Sequence, residues 1–202
     1  MVEDSSVYIS ALLLAAGESK RMGRQKLILP FGASTIIEQT IDNLLNSKVD
    51  EVIVVVGYRA EELVKRIASK PIRIAVNPQY HQGMSTSIIG GLNLIDEKAK
   101  AVMIALADQP GINSKVIDKL IQEFRQHNKG IGIPTYQGNR GHPVIFSIKY
   151  KGAFLKLTGD VGGREIIDKH WNDILEIPVD SKGINIDVDT LSDYEQLSSS
   201  RC

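Results

Sequence analysis

Short apolar runs alternate with longer amphipathic segments along most of the chain. Uninterrupted apolar runs, such as 52–56 and 101–107, predict strands that are covered on both faces, as in a parallel sheet. Segment 35–47 instead repeats its apolar residues at helical spacing. This repeated βαβ order predicts an α/β protein with a Rossmann-like, three-layer, doubly wound and mostly parallel sheet.

The predicted elements differ in regularity between the two ends of the chain. The predicted strands are 8–15, 52–56, 72–76, 101–107, 131–134 and 171–178, and the predicted helices are 35–47, 60–68, 85–96, 114–126, 148–157 and 166–170. Ser85 and Ser114 are the predicted N-caps of their helices. Near the end, 186–189 alternates like a strand, and a helix capped by Thr190 or Ser192 follows.

Composition narrows the class of protein. The 202 residues contain no linker, repeat or low-complexity tract, which predicts one domain over 6–197 and a disordered tail over 198–202. A formal net charge of zero argues against a general nucleic-acid binder. The single cysteine, Cys202, excludes a disulfide framework within one chain and favours a reducing cytoplasm. We expect neither a signal peptide nor membrane association, because no suitable apolar run is present.

The loop after the first predicted strand carries the strongest chemical signal. Leu14, Ala15, Ala16 and Gly17 are small or apolar, and cationic residues follow them. Small residues let backbone N–H groups approach phosphate oxygens. The side chains of Arg21 and Lys26 supply positive charge for the phosphates, and Arg24 is a further candidate. The spacing is neither that of a P-loop nor that of a dinucleotide-binding glycine motif, so ATPases and dehydrogenases are disfavoured.

Acidic residues at two places are candidate metal ligands. Asp108 ends an apolar strand, where a carboxylate can hold Mg²⁺ beside phosphate oxygens, although a turn or N-cap aspartate is the simpler alternative. Asp187 and Asp189 alternate around Val188 and should share one face. An acid favoured by a helix start is the alternative for Asp189. Because the first loop and Asp108 both follow carboxyl ends of predicted strands, they should meet in one crevice.

Several motifs together resemble a known family. The run 13–26 is similar, position for position, to the signature of the nucleotidyltransferases that activate sugars, isoprenoid precursors and the molybdenum cofactor. Further matching segments follow in order and resemble the molybdenum cofactor cytidylyltransferase branch: 55–58, 77–78, 83–87, 106–110, 141–146, 159–160 and 163–164. Ala15-Ala16-Gly17 stands where guanylyl-transferring relatives tend to have Gly-Gly, which favours cytidine.

This resemblance implies roles for individual residues. Lys26 would contact the α-phosphate and Arg21 the β- and γ-phosphates, whereas both would otherwise be solvated surface cations. Gly83, Ser85 and Ser87 would lie near the base and ribose, with plain helix capping by Ser85 as the alternative. Mg²⁺ would be held by Asp108 and, of the two late acids, Asp189. Four residues are candidates for contacting the acceptor: Arg140, His142, Asp160 and Arg164. The alternative is that they form surface ion pairs or, for His142, a structural turn.

The implied reaction is Mg²⁺-dependent transfer of a nucleotidyl group from CTP to molybdopterin, with pyrophosphate as the second product. A molybdenum hydroxylase that receives the product would be a transient partner. Two alternatives stay open at this stage. One is guanylyl or cytidylyl transfer to a sugar or polyol phosphate. The other is a non-catalytic carrier or chaperone of the molybdenum cofactor, which would not need Lys26, Arg21 and Asp108 together.

Overall fold

The computed structural model describes residues 7–199 and contains a central sheet with helices on both faces. The strands, in chain order, are β1 (Ile9–Ala15), β2 (Pro30–Phe31), β3 (Ser34–Thr35), β4 (Glu51–Val56), β5 (Arg73–Val76), β6 (Ala101–Leu106), β7 (Ile131–Tyr136), β8 (Asn139–Arg140), β9 (Val144–Ser147) and β10 (Ile174–Pro178). The helices are α1 (Ile36–Leu45), α2 (Ala60–Ile67), α3 (Met84–Leu92), α4 (Ser114–Gln126), α5 (Lys151–Phe154), α6 (Arg164–Lys169) and α7 (Leu191–Ser199).

The sheet has the order β10-β7-β9-β6-β1-β4-β5, and β8 pairs with β7 beside this path. Among the seven described strands in this order, only β9 is antiparallel to its neighbours, β6 and β7. The carboxyl ends of β1, β4 and β6 therefore lie at one edge of the sheet. The predicted fold class, a doubly wound and mostly parallel sheet, is confirmed.

Apolar side chains on both faces of the sheet explain the uninterrupted strand pattern. Leu13 and Val54 point into one core with helices α1, α2 and α4. Leu12 and Ile53, their neighbours in sequence, point into a second core with α3, α5 and α6. Successive residues of a strand face opposite sides of the sheet. When helices cover both sides, the residues at both sets of positions are buried and therefore mostly apolar.

The structure corrects several local predictions. Gly83, not Ser85, precedes helix α3, and that helix already ends at Leu92. Helix α4 is capped by Asn113, whose side chain accepts a hydrogen bond from the Val116 N–H group. The predicted helix 148–157 is a 3₁₀ turn, Ile148–Tyr150, followed by the single turn of α5.

The late segment also differs from its prediction. Residues 186–189 form no strand. Thr190, rather than Ser192, caps helix α7, because its hydroxyl accepts from the Asp193 N–H group while the Asp193 carboxylate accepts from the Thr190 N–H group. The helix runs to Ser199, and the rest of the predicted tail, 200–202, lies outside the described residues, as does residue 6. The predicted limits of the domain stay predictions.

None of the described helices combines the length and the apolar character that crossing a bilayer requires.

Candidate active site

A cavity of about 670 Å³ opens at the carboxyl edge of the sheet, beside the ends of β1 and β6. It is lined by most of the residues predicted for the nucleotide and metal: Leu14, Ala15, Ala16, Gly17, Arg21, Lys26, Gly83, Ser87, Asp108, Asp187 and Asp189. Residues separated by more than half of the chain thus share one crevice, as the strand order predicts.

The first loop owes its shape to a buried glutamine. Gln25 is 1% exposed, and its side-chain amide donates to the Tyr58 carbonyl oxygen. The same side chain accepts from the Leu27 N–H group and from the Ser19 hydroxyl. Ser19 and Gly23 adopt left-handed backbone conformations, with φ of 53° and 63°. These contacts fold the chain back on itself, so that Lys26 follows a fixed turn and points into the cavity.

Lys26 lies between the two acids predicted as metal ligands. Its Nζ is 2.6 Å from Asp108 Oδ2 and 2.8 Å from Asp189 Oδ1. Only 12% of the Lys26 side chain is exposed. Burial alone would lower the pKa of Lys26, but the two carboxylates raise it above its ordinary value. Lys26 is therefore a fixed ammonium ion at the floor of the cavity.

Arg21 extends this network to the mouth of the cavity. One of its guanidinium nitrogens, Nη2, is 2.7 Å from Asp189 Oδ2, and 71% of the Arg21 side chain is exposed. Burial would raise the pKa of Asp189, but hydrogen bonds and charge from Lys26 and Arg21 lower it below its ordinary value. Asp189 is thus held as a carboxylate by a buried cation on one side and an exposed one on the other.

The late acids reach Asp108 through one backbone hydrogen bond. The Val188 N–H group donates to the Asp108 carbonyl oxygen at 2.9 Å, and the Val188 side chain is fully buried. This anchor turns Asp187 and Asp189 to the cavity side, so the prediction that both share one face was right although the segment is not a strand. Gln109, which is 2% exposed, donates to Asp187 Oδ1 at 2.6 Å.

The carboxylate form of Asp187 is disfavoured by its surroundings. Burial, followed by repulsion from Asp108 and Asp189, raises the pKa of Asp187 in spite of the Gln109 hydrogen bond. Three carboxylates therefore converge on one region of the cavity, and the positive charge that balances them comes from Lys26 and Arg21.

The charge of the whole lining shows what a polyphosphate would need in order to bind. Among the described residues, the lining contains five acidic side chains and two that are permanently cationic. The acids are Glu18, Asp108, Asp160, Asp187 and Asp189, and the cations are Arg21 and Lys26. An excess of negative charge repels a triphosphate unless a further cation is bound.

The donor set fits a divalent metal that is shared with a substrate. Within residues 7–199, no three His, Cys, Asp or Glu side chains form a ready-made metal cluster. Asp108 and Asp189 nevertheless present hard oxygen atoms close to the same point, namely Lys26 Nζ. Mg²⁺ and similar ions commonly take one or two carboxylates and complete their shell with phosphate oxygens and water. The acids therefore suit a metal that arrives with a nucleotide.

The opposite wall is built from two loops clamped together. Gly83, with φ of 109°, lets residues 159–160 approach so closely that an added Cβ would lie 2.3 Å from the Gly159 carbonyl carbon. Ser85 donates its hydroxyl to the Gly159 carbonyl oxygen and, among the described residues, does not line the cavity. Asp160 lines the cavity and accepts from the Met84 N–H group.

This clamp gives residues 83–87 a structural role. The N–H groups of Ser85 and Thr86 already have partners, since Ser85 donates to the Gly159 carbonyl oxygen and Thr86 to that of Gly83. Gly83 and Ser87 also line the cavity, whereas Ser85 does not among the described residues. The assignment of Gly83, Ser85 and Ser87 to the nucleotide stays a prediction.

The other three predicted acceptor residues do not line the cavity in the part of the chain that the structure describes. Arg140 forms an exposed ion pair with Glu176, 2.7 Å from Nη2 to Oε1. Arg164 is exposed at the start of α6. His142 is half-buried, and burial lowers its pKa in spite of the charges on Asp187 and Asp108. Their assignment to the acceptor stays a prediction.

Sequence reasoning missed residues whose importance depends on burial. Gln25 directly precedes Lys26, and Gln109 directly follows Asp108. Both glutamines are buried, and nothing in the sequence indicates this. Tyr80, His81 and Gln82 form a 3₁₀ turn that lines the cavity. Their position just before the 83–87 motif was the one available signal, since a loop next to a binding motif often shares its surface.

A mostly parallel sheet with a small, cationic first loop and acids at the same edge is the architecture of a nucleotidyltransferase. Consistent with this, residues 11–174 match the MobA-like NTP transferase domain, so the chain belongs to that family. The protein is accordingly a nucleotidyltransferase.

Two curated relatives match along almost their full lengths. Nicotine blue oxidoreductase from Paenarthrobacter nicotinovorans is 30% identical over 89% of this chain and 92% of its own. Molybdenum cofactor cytidylyltransferase from Escherichia coli K12 is 28% identical over 92% of this chain and 93% of its own. The first name belongs to an oxidoreductase, so the shared family does not by itself define the substrate.

Solved structures agree with the fold. A homologue of Mycobacterium tuberculosis Rv0371c from Mycobacterium sp. strain JC1 superposes with a TM-score of 0.84 and 30% identity, covering 95% of this chain and 96% of its own. Rv0371c from Mycobacterium tuberculosis H37Rv, solved in complex with manganese, has a TM-score of 0.82 and 25% identity, covering 96% of this chain and 99% of its own.

Proposed function

We propose that this protein transfers the cytidylyl group of CTP to molybdopterin and releases pyrophosphate. The observation that carries this proposal is the position of Lys26, held between Asp108 and Asp189 at the carboxyl edge of the sheet. The similarity to the E. coli cytidylyltransferase over more than nine tenths of both chains supports the choice of nucleotide and acceptor.

In the proposed reaction, an oxygen of the acceptor's terminal phosphate attacks the α-phosphorus of CTP. A bond forms between that oxygen and the α-phosphorus, and the bond from the α-phosphorus to the bridging oxygen breaks. Pyrophosphate leaves with that electron pair. A phosphate monoester is already an anionic nucleophile, so the protein need not supply a general base. Positioning and charge neutralisation account for the rate.

Each charged side chain then has a defined task. Lys26, fixed at the cavity floor, would hold the α-phosphate and the charge that develops there. Arg21, exposed at the mouth, can follow the β- and γ-phosphates, because its fork of N–H groups matches phosphate geometry. Ala15, Ala16 and Gly17 would lie against the phosphates or base, since their small side chains leave the backbone accessible.

Asp108 and Asp189 would hold a divalent cation, which we take to be Mg²⁺. When bound, the metal supplies positive charge to the triphosphate and to the leaving pyrophosphate. Asp187, steadied by Gln109, is the remaining carboxylate on the same side of the cavity and the alternative second ligand.

Further consequences belong to the same proposal. The product would pass to a molybdenum hydroxylase through a transient contact, and the protein would work in the cytoplasm, without binding nucleic acid or membranes. A carrier that only binds the finished cofactor would have no use for a lysine held between two acids, which argues against a non-catalytic role.

The test is a pyrophosphate-release assay with each nucleoside triphosphate in turn, with and without molybdopterin, in Mg²⁺ and in Mn²⁺. We expect release with CTP only when molybdopterin is present. Release with GTP, or with a sugar or polyol phosphate as acceptor, would overturn the assigned substrates and leave the class of reaction intact. No release with any acceptor would overturn the proposal.

A further inference from the structure

The acids that suit a metal already have cationic partners in this structure. Lys26 Nζ is within 3 Å of one oxygen of Asp108 and one oxygen of Asp189. The second oxygen of Asp189 is paired with Arg21 Nη2 at 2.7 Å. The Lys26 side chain is 12% exposed, so this ammonium is packed into the site.

An ammonium ion and a divalent cation compete for these oxygens. A magnesium ion sits about 2.1 Å from each oxygen ligand. If it were bound to the two oxygens that now accept from Lys26, it would lie within about 4 Å of Nζ, and both groups carry positive charge. Repulsion at such a distance is strong in a partly buried site. Binding of a metal between Asp108 and Asp189 is therefore unfavourable while Lys26 stays there, and it becomes favourable when Lys26 moves away.

A triphosphate provides the reason for Lys26 to move. Its oxygens offer the ammonium new acceptors, and its charge exceeds that of the two aspartates. When Lys26 donates to phosphate instead, the Asp108 and Asp189 oxygens become available to a cation, which the phosphates also attract. The metal in turn offsets part of the repulsion between the triphosphate and a lining that contains more acids than cations.

We propose that Lys26 occupies the metal position while no nucleotide is bound and couples the two ligands when one is. The metal and the nucleotide should therefore bind with strong positive cooperativity, and the divalent ion alone should bind weakly. This inference rests on the proposed function only in so far as the cavity takes a nucleoside triphosphate with a metal. It does not depend on the acceptor.

The experiment measures Mn²⁺ binding to the full chain by electron paramagnetic resonance, without nucleotide and with CTP. Binding of Mn²⁺ to free CTP is subtracted by a parallel titration. Three proteins are compared: the unmodified chain, Lys26→Met, and Lys70→Met as the matched control. Lys70 forms an ion pair with a single aspartate, Asp42, at 2.5 Å, and lies outside the cavity lining among the described residues.

Without nucleotide, Lys26→Met should bind Mn²⁺ at least about tenfold more tightly than the unmodified chain, since the competing charge is gone. CTP should strengthen Mn²⁺ binding in the unmodified chain and in Lys70→Met. It should do so much less in Lys26→Met. Adding Asp108→Asn to Lys26→Met should abolish the gain, which would place the bound ion at these acids.

Two results would overturn the inference. One is unmodified protein that binds Mn²⁺ as tightly without CTP as with it. The other is Lys26→Met that binds free Mn²⁺ no better than Lys70→Met. Lys26→Gln, which keeps a hydrogen-bonding group without charge, serves if the Met variant does not fold. If the pyrophosphate assay fails while Mn²⁺ binding behaves as expected, the assigned reaction is wrong but the coupling between metal and nucleotide stands.

Discussion

Two clusters of lysine and aspartate side chains lie at opposite edges of the same sheet, and they differ in how their charges are paired. The cavity cluster comprises Lys26, Arg21, Asp108 and Asp189 at the carboxyl edge. The anchor cluster comprises Lys149, Tyr150 and Asp173, next to the amino ends of β7 and β10. In both clusters, ion pairs join residues that are far apart in the sequence.

The clusters differ in the number of donors that each carboxylate has and in whether a further carboxylate lies nearby. In the anchor cluster one carboxylate, Asp173, accepts from Lys149 Nζ at 2.8 Å, from the Tyr150 hydroxyl and from the Gly130 N–H group. In the cavity cluster, Lys26 is shared by two carboxylates, and Asp187 lies near both. A carboxylate with surplus donors is satisfied and stabilises the fold. Surplus carboxylates that face a cavity leave room for a cation.

The pKa values follow this difference. Burial alone would raise the pKa of Asp173, but its donors lower it to about 2. For Asp187, burial and the neighbouring acids raise the pKa instead. The comparison therefore predicts that mutations in one cluster change catalysis and mutations in the other change stability.

The largest expected effect is the loss of catalysis in Asp108→Asn. The amide keeps the size of the side chain but weakens both the metal and the hold on Lys26. We expect pyrophosphate release to fall by about 10²–10³-fold or more, in line with the loss of one preorganised electrostatic group. Steady-state kinetics with CTP and molybdopterin measure it, and urea unfolding checks that the fold survives.

Asp118→Asn is the matched control for this prediction. Asp118 accepts one hydrogen bond from the Lys48 N–H group and lies outside the cavity lining among the described residues. Its replacement should leave turnover unchanged. Near-normal turnover in Asp108→Asn would remove Asp108 from the metal site.

The opposite pattern is expected for Asp173→Asn. The amide oxygen of Asn is an uncharged and weaker acceptor for Lys149 and the Tyr150 hydroxyl, which should lower the free energy of unfolding by about 1–3 kcal/mol. Turnover below the melting temperature should stay the same, because the anchor cluster lies at the other edge of the sheet. Urea unfolding and the pyrophosphate assay measure the two quantities, and a large loss of turnover would break the comparison.

A pH titration isolates the charge of Asp173. Because its folded pKa of about 2 lies below the unfolded value of about 3.9, its contribution to stability is complete above pH 4 and is lost as the pH falls towards 2. Between pH 5 and pH 3 the unmodified protein should lose about 1 kcal/mol more of its unfolding free energy than Asp173→Asn. Equal losses in the two proteins would mean that Asp173 has an ordinary pKa.

The sequence was sufficient to predict the parts of the molecule that depend on local pattern. The uninterrupted apolar strands and the first loop predicted the sheet, its carboxyl edge and the position of Lys26. Asp108 at a strand end predicted one acid of the site. These signals are strong because burial on both faces and phosphate chemistry each restrict the residue types that a position can hold.

The remainder depended on long-range contacts. Gly83 and Ser85 have a structural role that the sequence does not indicate, because residues 159–160 lie close against Gly83 and accept a hydrogen bond from Ser85. Asp189 reaches Lys26 because Val188 is bound to the Asp108 carbonyl group, a contact between segments about eighty residues apart. The burial of Gln25 and Gln109 follows from packing that no local pattern records. Residue type indicated which groups carry chemistry, whereas only the fold shows which of them meet.

The smallest expected effect distinguishes a glycine that serves the ligand from one that serves the fold. An added Cβ at Gly17 would have nothing within 4 Å, so Gly17→Ala should not lower stability. If the phosphates lie against this backbone, the KM for CTP should still rise by roughly three- to tenfold, which corresponds to about 0.6–1.4 kcal/mol of binding. Gly152→Ala is the control, because Gly152 is equally open but lies in α5, beside the anchor cluster. That variant should keep its KM and gain up to about 1 kcal/mol of stability from helix propensity. An unchanged KM in Gly17→Ala would place the triphosphate on another wall of the cavity, since no contact within the protein competes for that space.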